Sequence, residues 1–423
     1  MGTNRRGQWW ERGLVALAVG FAVVLALPGV AGAAFPGSNG LIVYQSTQPS
    51  TGTDCPVQST QQLFIAVPGS PSTPTDPDKQ LDCTGAKDED ASFSPDGSEI
   101  VFASNRQVGG NSNWQLYTEA FNDDGTASDT PALVHDQATA TTVDSYPSFA
   151  PASPGNQNTI IFARQSGPYS PPQLYTVNLT NPNSLAPVFP TQTGFADSQP
   201  VYDPSNGNEI AFARTNLTTG YTDIVTYNFV THALTDLSAA NGDTTTHDSK
   251  PDFAPSPDSY GDQLIVFQSD RPSPCNTTEL YTMTDQAPAS PAQSTISPVF
   301  QNTQSVQVCP TGGSASPVAL ENPVYSPDGT QIAFDQFNAT QQVFTTWDDS
   351  ILNTSAQSDV ARMSGETDLT PNTATDEAPT WGPVEPGVST PEAPLGILLP
   401  LSATALLGAA VVYLRQRKRP VDA

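Results

Sequence analysis

The sequence predicts an all-β chain, a six-bladed β-propeller closed by its own N- and C-terminal strands, with a C-terminal transmembrane helix beyond it. The first observation behind this is a repeated motif. Ser94-Pro95-Asp96-Gly97 leads into Ile100-Val101-Phe102, and Ser326-Pro327-Asp328-Gly329 leads into Ile332-Ala333-Phe334. Degenerate copies lie between: Phe149-Ala150-Pro151 before Ile160-Ile161-Phe162, Tyr202-Asp203-Pro204 before Ile210-Ala211-Phe212, and Phe253-Ala254-Pro255 before Leu264-Ile265-Val266-Phe267. Self-similarity at this spacing marks a repeat architecture. The second observation is a set of aromatics in register with the motif, and the third is the phase in which the chain begins and ends.

Each unit reads as strand, turn, strand, loop, strand. Proline presets the first torsion of the turn and glycine supplies the positive φ that other residues resist, so Pro-Asp-Gly between apolar runs signals a hairpin. The first strands carry Phe93, Phe149, Tyr202, Phe253, Tyr325 and Trp381; the second strands end at Tyr44, Phe102, Phe162, Phe212, Phe267 and Phe334. Third strands show Leu63-Phe64, Leu116-Tyr117, Leu174-Tyr175, Ile224-Val225, Leu280-Tyr281 and Val343-Phe344, with the two-residue alternation of a strand wetter on one face. A fourth, outer strand per unit is poorly marked. The two sets of six are out of phase. The chain starts on a second strand and finishes on a first strand, Pro379-Thr380-Trp381, so its ends complete one blade and remove the exposed edges.

Over residues 39–382 these units resemble the TolB-type propellers, a WD-repeat-like family whose repeat carries Pro-aromatic-Ser-Pro-Asp-Gly and then an apolar-aromatic strand. The resemblance implies that the first strands line a central channel. That family includes a periplasmic protein that docks a peptidoglycan-associated lipoprotein, and the propeller halves of prolyl-oligopeptidase-type enzymes. Residues 34–39 are too few for the α/β domain of the former, and no Gly-x-Ser-x-Gly elbow of the latter occurs. The resemblance therefore implies a fold rather than an activity.

The segments outside the repeats point to export. Residues 1–33 read as a signal peptide: Arg5, Arg6 and Arg12, an apolar stretch, then Ala31-Gly32-Ala33 as a cleavage site. Residues 34–382 form the propeller and 383–394 a stalk holding Pro383, Pro386, Pro391 and Pro394. Residues 395–414 carry no charge and suffice to cross a core of about 30 Å. The tail 415–423, with Arg415, Arg417, Lys418 and Arg419, stays cytoplasmic by the positive-inside rule, leaving the propeller outside. Thr390-Pro391-Glu392-Ala393-Pro394 before the helix also looks like a bacterial sorting signal, which would let a sorting enzyme remove it.

The chain holds 15 Lys+Arg and 42 Asp+Glu. Setting aside three basic residues and Glu11 of the signal, and four basic residues and Asp422 of the tail, the exported part keeps 8 basic and 40 acidic residues. Such a field excludes nucleic acid as a partner and favours cations or basic partners. All four cysteines are exported, where disulfides are the expected state. Cys55 and Cys275 share one place in the unit and Cys83 and Cys309 another, which favours Cys55–Cys83 and Cys275–Cys309 among three possible pairings.

An acid recurs at the start of the first strands: Asp88, Asp144, Asp197, Asp248 and Asp376, with Leu320 and Glu321 at that place in the remaining unit. Two readings stand. These residues form a ring of carboxylates at one channel mouth for a hard cation such as Ca²⁺ or a basic peptide, or each caps the turn entering its strand. The histidines, His135, His232 and His247, are scattered over different units and single out no catalytic group. The sequence thus predicts a monomeric, membrane-anchored extracellular binding module for a protein, peptide or cell-wall glycan, with no catalytic residues and no cofactor unless Ca²⁺ fills the ring. The alternatives are a metal-assisted propeller lyase or hydrolase acting on glycans, and a passive structural surface protein.

Overall fold

A computed structural model describes residues 36–47, 61–66, 79–81, 85–107, 113–120, 130–135, 141–153, 156–257, 262–290, 294–300, 318–338, 340–347, 367–370 and 375–384. These residues build an all-β propeller. The strands pair into six antiparallel, four-stranded sheets, here I to VI. From inner to outer strand, sheet I holds Asp88–Phe93, Glu99–Ser104, Gln115–Ala120 and Ala132–Leu133. Sheet II holds Val143–Phe149, Thr159–Gln165, Gln173–Asn178 and Asn181–Pro187, and sheet III holds Phe195–Tyr202, Glu209–Asn216, Thr222–Asn228 and Leu234–Asp236. Sheet IV comprises Asp248–Phe253, Leu264–Ser269, Glu279–Thr284 and Ser297–Pro298; sheet V comprises Ala319–Tyr325, Gln331–Asn338, Thr340–Trp347 and Thr367–Asp368. Sheet VI joins the two ends of the described chain. Its inner strand is Asp376–Pro383, and Asn39–Ser46, Gln62–Ala66 and Lys79–Gln80 follow outward. Ile42 pairs with Trp381 and Val43 with Thr380 across that seam.

The second strands are apolar without alternation because both of their faces are buried. Ile100 and Phe102 pack toward sheet VI with Val43, Ile65 and Phe93, while Val101 and Ala103 pack toward sheet II with Phe149, Ile160 and Phe162. The same division recurs at every sheet, so hydrophobic clusters fill the gaps I–II, II–III, III–IV, IV–V, V–VI and VI–I. At the V–VI seam Tyr44, Phe64 and Trp381 meet Ala333 and Leu369.

The Ser-Pro-Asp-Gly turns act as small polar locks. Ser94 Oγ donates to Asp96 Oδ1 at 2.7 Å, Ser98 N donates to the same oxygen, and Glu99 N donates to Ser94 Oγ at 3.0 Å. Ser326, Asp328, Thr330 and Gln331 repeat this arrangement. Gly97 and Gly329 sit at φ 76° and 71°, and each donates its N–H to the turn's serine carbonyl. Partial burial opposes the charge on Asp96 and Asp328, but these bonds win and hold both carboxyls below the usual range.

A feature absent from the sequence reading occurs in all six inner strands. Each slips register against its second strand at a bulge, as between Glu89 and Ser92 or Ser145 and Ser148. At the bulge a non-glycine residue has positive φ: Asp90, Tyr146, Gln199, Lys250, Asn322 and Ala378, all between 48° and 55°. A bulge re-aims side chains at a cost of order 1–3 kcal/mol per strained residue. Here it turns one residue per sheet into the channel.

The signal, residues 385–394 of the stalk, the span 395–414 and the basic tail lie outside the described residues; Pro383, read from the sequence as the first residue of the stalk, instead ends the inner strand of sheet VI, where it pairs with Asn39. Among the described residues no helix is long and apolar enough to cross a membrane. Cys275 is buried and disulfide-bonded; Cys55, Cys83 and Cys309, and with them both expected pairings, lie outside the described residues.

Candidate functional site

Because neighbouring strands are antiparallel, all inner strands begin where second strands end. At that end the structure uses the recurring acids as ion-pair partners inside single sheets. Arg106 Nη2 donates to Asp88 Oδ1 at 2.9 Å. Arg164 grips Asp144 through Nε and Nη2 at 2.7 and 2.8 Å, and Arg214 grips Asp197 at 2.7 and 2.9 Å. Arg271 Nη2 reaches both oxygens of Asp248 at 2.9 and 3.0 Å, where Ser238 Oγ also donates. Each guanidinium lies over an aromatic of its second strand: Phe102, Phe162, Phe212 or Phe267, at 5.2–5.6 Å. Burial raises the Asp197 carboxyl while Arg214 pulls it down. Asp376 is buried on the inner strand of sheet VI, opposite Ser46.

These five acids therefore lie within the sheets, and the channel lining begins two residues further on. Among the described residues no three His, Cys, Asp or Glu side chains gather into a metal-binding group. The arginine partners carried a signal of their own: Arg106, Arg164, Arg214 and Arg271 are half of the 8 basic residues in the exported part, each just beyond a second-strand aromatic. The histidines are held separately. His135 packs beside Asp144 and Arg164, His232 Nδ1 contacts the Tyr227 hydroxyl, and His247 Nδ1 lies 2.8 Å from Asp270 Oδ2 on the surface.

The channel itself opens as a cavity of about 140 Å³. Its rim is the ring of bulged residues, Asp90, Tyr146, Gln199, Lys250, Asn322 and Ala378, each followed by proline or, after Asp90, by Ala91. The bulge leaves rim N–H groups off the strand ladder, and acceptors from the neighbouring sheet meet five of the six. Gln45 Oε1 accepts from Asp90, Gln268 Oε1 from Asn322 and Asp335 Oδ2 from Ala378, all three from the position after the second-strand aromatic. In sheets I to III that position is Ala103, Ala163 or Ala213, and rim side chains step in: Asp90 accepts from Tyr146 N and Gln199 Oε1 from Lys250 N.

Across the opening, Lys250 Nζ of sheet IV stands 3.8 Å from Asp90 Oδ1 of sheet I, and 4.5 Å from the centre of the Tyr146 ring. Burial works against the Lys250 charge, but Asp90, Tyr146, Asp335 and Glu377 carry it above the ordinary value. Three of the acids near it, Glu89, Asp90 and Asp335, are displaced upward. Burial, reinforced by Asp90 and Glu377, pushes Glu89 to about 7, and burial takes Asp335 well above the carboxylate range. Deeper in, Asp252 accepts from Tyr325 N at 2.8 Å, and burial raises it to about 7. The channel then narrows to a cavity of about 60 Å³ walled by Phe93, Tyr202, Phe253, Tyr325 and Trp381.

No family model matches the chain, and no curated protein matches it. Solved structures do. Hydrazine synthase from Kuenenia stuttgartiensis superposes with TM-score 0.53 at 14% identity, over 82% of this chain and 47% of that one, so the chain spans about half its length. TolB from Acinetobacter baumannii gives TM-score 0.49 at 16% identity, over 81% of this chain and 67% of that one. A putative TolB from Agrobacterium tumefaciens gives 0.46 at 13% identity, over 82% and 100%. At such identities the likeness establishes the fold alone: this chain shares the β-propeller architecture.

Proposed function

We propose that this chain is an exported, membrane-anchored binding module, a six-bladed propeller of TolB type that takes a protein, peptide or glycan partner at the rim of its channel. The observation that carries the reading is the rim. Six strained residues face one cavity, five of them polar or charged, and the neighbouring sheet supplies hydrogen-bond acceptors to rim N–H groups. Strain held at one repeated position is a mark of a functional surface. The Ser-Pro-Asp-Gly units support the TolB-type assignment, and residues 1–33 and 395–423 support export and anchoring. The two disulfides, Cys55–Cys83 and Cys275–Cys309, belong to the same proposal. None of the three histidines lines the cavity, and the carboxyls that do, Asp90 and Asp252, accept from the backbone N–H groups of Tyr146 and Tyr325.

The test is a rim block. Ala378→Tyr places in sheet VI the residue type that sheet II carries at the same position as Tyr146, at φ 48° against 51°. Peptide and glycan arrays probed with the full-length protein should give binders that the Ala378→Tyr protein loses, at an unchanged melting temperature. Binders retained in full by this variant would move the partner site off the channel.

A further inference from the structure

We propose that two copies of this chain associate through the outer flank of sheets II and III, each presenting that flank to the other across a two-fold axis. The surface belongs to the outer strands and their loops, apart from the channel rim.

Three observations converge on this flank. The first is its charge. Residues 145–196 hold no Asp, Glu, Lys or His and a single Arg, in an exported part with 40 acidic residues. That Arg164 and the one acid of sheet II, Asp144, are 6% and 0% exposed and locked to each other, so sheet II shows solvent no charge. Sheets I, III, IV and V each expose an aspartate, at Asp96, Asp236, Asp270 and Asp328. On sheet III the neutral surface continues over residues 215–235, where the one acid, Asp223, is half-buried, and it ends at Asp236. The second observation is apolar exposure. Among the described residues the exposed large hydrophobic side chains are Tyr169, Leu217, Val230 and Leu234, and all four lie on sheets II and III. Tyr169 is 97% exposed. It and Leu217 sit in loops between second and third strands, Val230 in the loop before the outer strand of sheet III, and Leu234 on that strand. Leu217 N donates to Gly194 O at 2.9 Å, which ties the loop of sheet III to the linker from sheet II. Apolar groups gathered on one flank mark a contact surface, and the cores of protein interfaces are depleted in charge.

The third observation is the outer strand of sheet II. Asn181–Pro187 is 7 residues long, whereas the outer strands of the other sheets have 2 or 3. Pro182, Pro187 and the register shift against Gln173–Asn178 guard its edge against open-ended strand addition. The flank therefore meets its counterpart through side chains and closes as a pair.

The charge pattern names the occupant. A two-fold contact sets a surface against the same surface of the other copy, so a flank with exposed acids would meet its own sign. In a chain this acidic, the flank of sheet II is where self-contact brings no like charges together. A basic partner is drawn to carboxylates that this flank lacks, and an acidic one is repelled by the rest of the molecule. A second copy supplies the neutral, partly apolar counterpart that remains.

The experiment is sedimentation velocity on the full chain in detergent over a wide range of protein concentration. It should show a monomer–dimer equilibrium that tightens severalfold between about 50 and 500 mM salt, because salt screens the repulsion between two acidic bodies while the contact itself holds no ion pairs. Tyr169→Glu combined with Leu217→Glu sets like charges against each other on the flank and should weaken the dimer about tenfold or more. Lys87→Glu shifts the net charge equally, at an exposed position in the linker before sheet I, and should leave the dimer unchanged. Thermal melts of all three proteins establish that they are folded. A wild type that stays monomeric throughout, a dimer that survives the double substitution, or one that salt weakens overturns the proposal. If a monomeric wild type is instead retained on cellulose and the double substitution abolishes retention, the second copy is the wrong occupant and the flank belongs to a neutral glycan.

Discussion

Arg214 and Asp197 show how single residues hold this fold together. The pair is bidentate, its side chains are 7% and 0% exposed, and the guanidinium lies over Phe212, Phe189 and Phe195. Removing one partner of such a buried pair strands the other charge, at a cost of about 3–5 kcal/mol. Asp197→Ala should therefore lower denaturant stability by that order. Asp197→Ala combined with Arg214→Met should recover much of the loss, and a double-mutant cycle reads the coupling. The buried acids make a second prediction. Glu89, Asp252 and Glu279 are raised to about 7 by burial, as is Asp223 with neighbouring acids adding to the effect. A carboxyl raised in the folded state stabilises it below the unfolded pKa, and that contribution is lost as pH rises through the folded value. The melting temperature should therefore rise as pH falls from about 8 to about 5. Below about pH 4 the opposite groups, Asp96 and Asp328, lose their contribution and stability should drop again. Asp252→Asn should flatten the slope between pH 5 and 8; an unchanged slope would show that Asp252 ionises freely.

At the scale of elements, the hairpin turns do more than reverse the chain. Gly97 has φ 76°, and a Cβ there would overlap the Pro383 carbonyl at the end of the closing strand. Gly220 has a similar φ of 83° with open space around it. Gly220→Ala should cost only the left-handed strain, about 1–2 kcal/mol. Gly97→Ala carries the same strain plus the displacement of Pro383, and the difference between the two melts measures how tightly the turn of sheet I grips the strand that closes sheet VI. Equal losses would mean that the closing strand yields freely.

The described sheets close into a ring, each packed on its two neighbours, and their stability is shared around that ring. Trp381 is 3% exposed and lies in the cluster that joins sheets V and VI. Losing a buried Trp costs about 3–5 kcal/mol alone. Ending the chain after Thr375 removes the entire inner strand of sheet VI, exposing Ile42 and Tyr44 of the same cluster and leaving Asn39–Ser46 paired only with Gln62–Ala66. Such a protein should melt at a much lower temperature in a single transition, by circular dichroism and tryptophan fluorescence alike. A two-step melt with most signal retained would mean that the sheets are stable independently.

By itself the sequence determined the all-β repeat, the placement of first, second and third strands, and the pairing of the last strand with the first. The reason is local: turn chemistry at Ser94-Pro95-Asp96-Gly97 and apolar runs such as Ile100-Val101-Phe102 are written in consecutive residues. Outer strands such as Ala132–Leu133 escaped because two residues at a solvent edge need no pattern. The candidate site was legible only in part. The recurring acids Asp88, Asp144, Asp197 and Asp248 were visible, but their arginines lie 17–23 residues away and meet them only when the second strand folds back. The rim was invisible. Asp90, Tyr146, Gln199, Lys250, Asn322 and Ala378 share no chemistry and are alike only in a bulged, positive-φ backbone that the packed ring imposes on them. Which residue faces the channel is decided by that bulge, and Lys250 meets Asp90 only because sheets I and IV face each other across it.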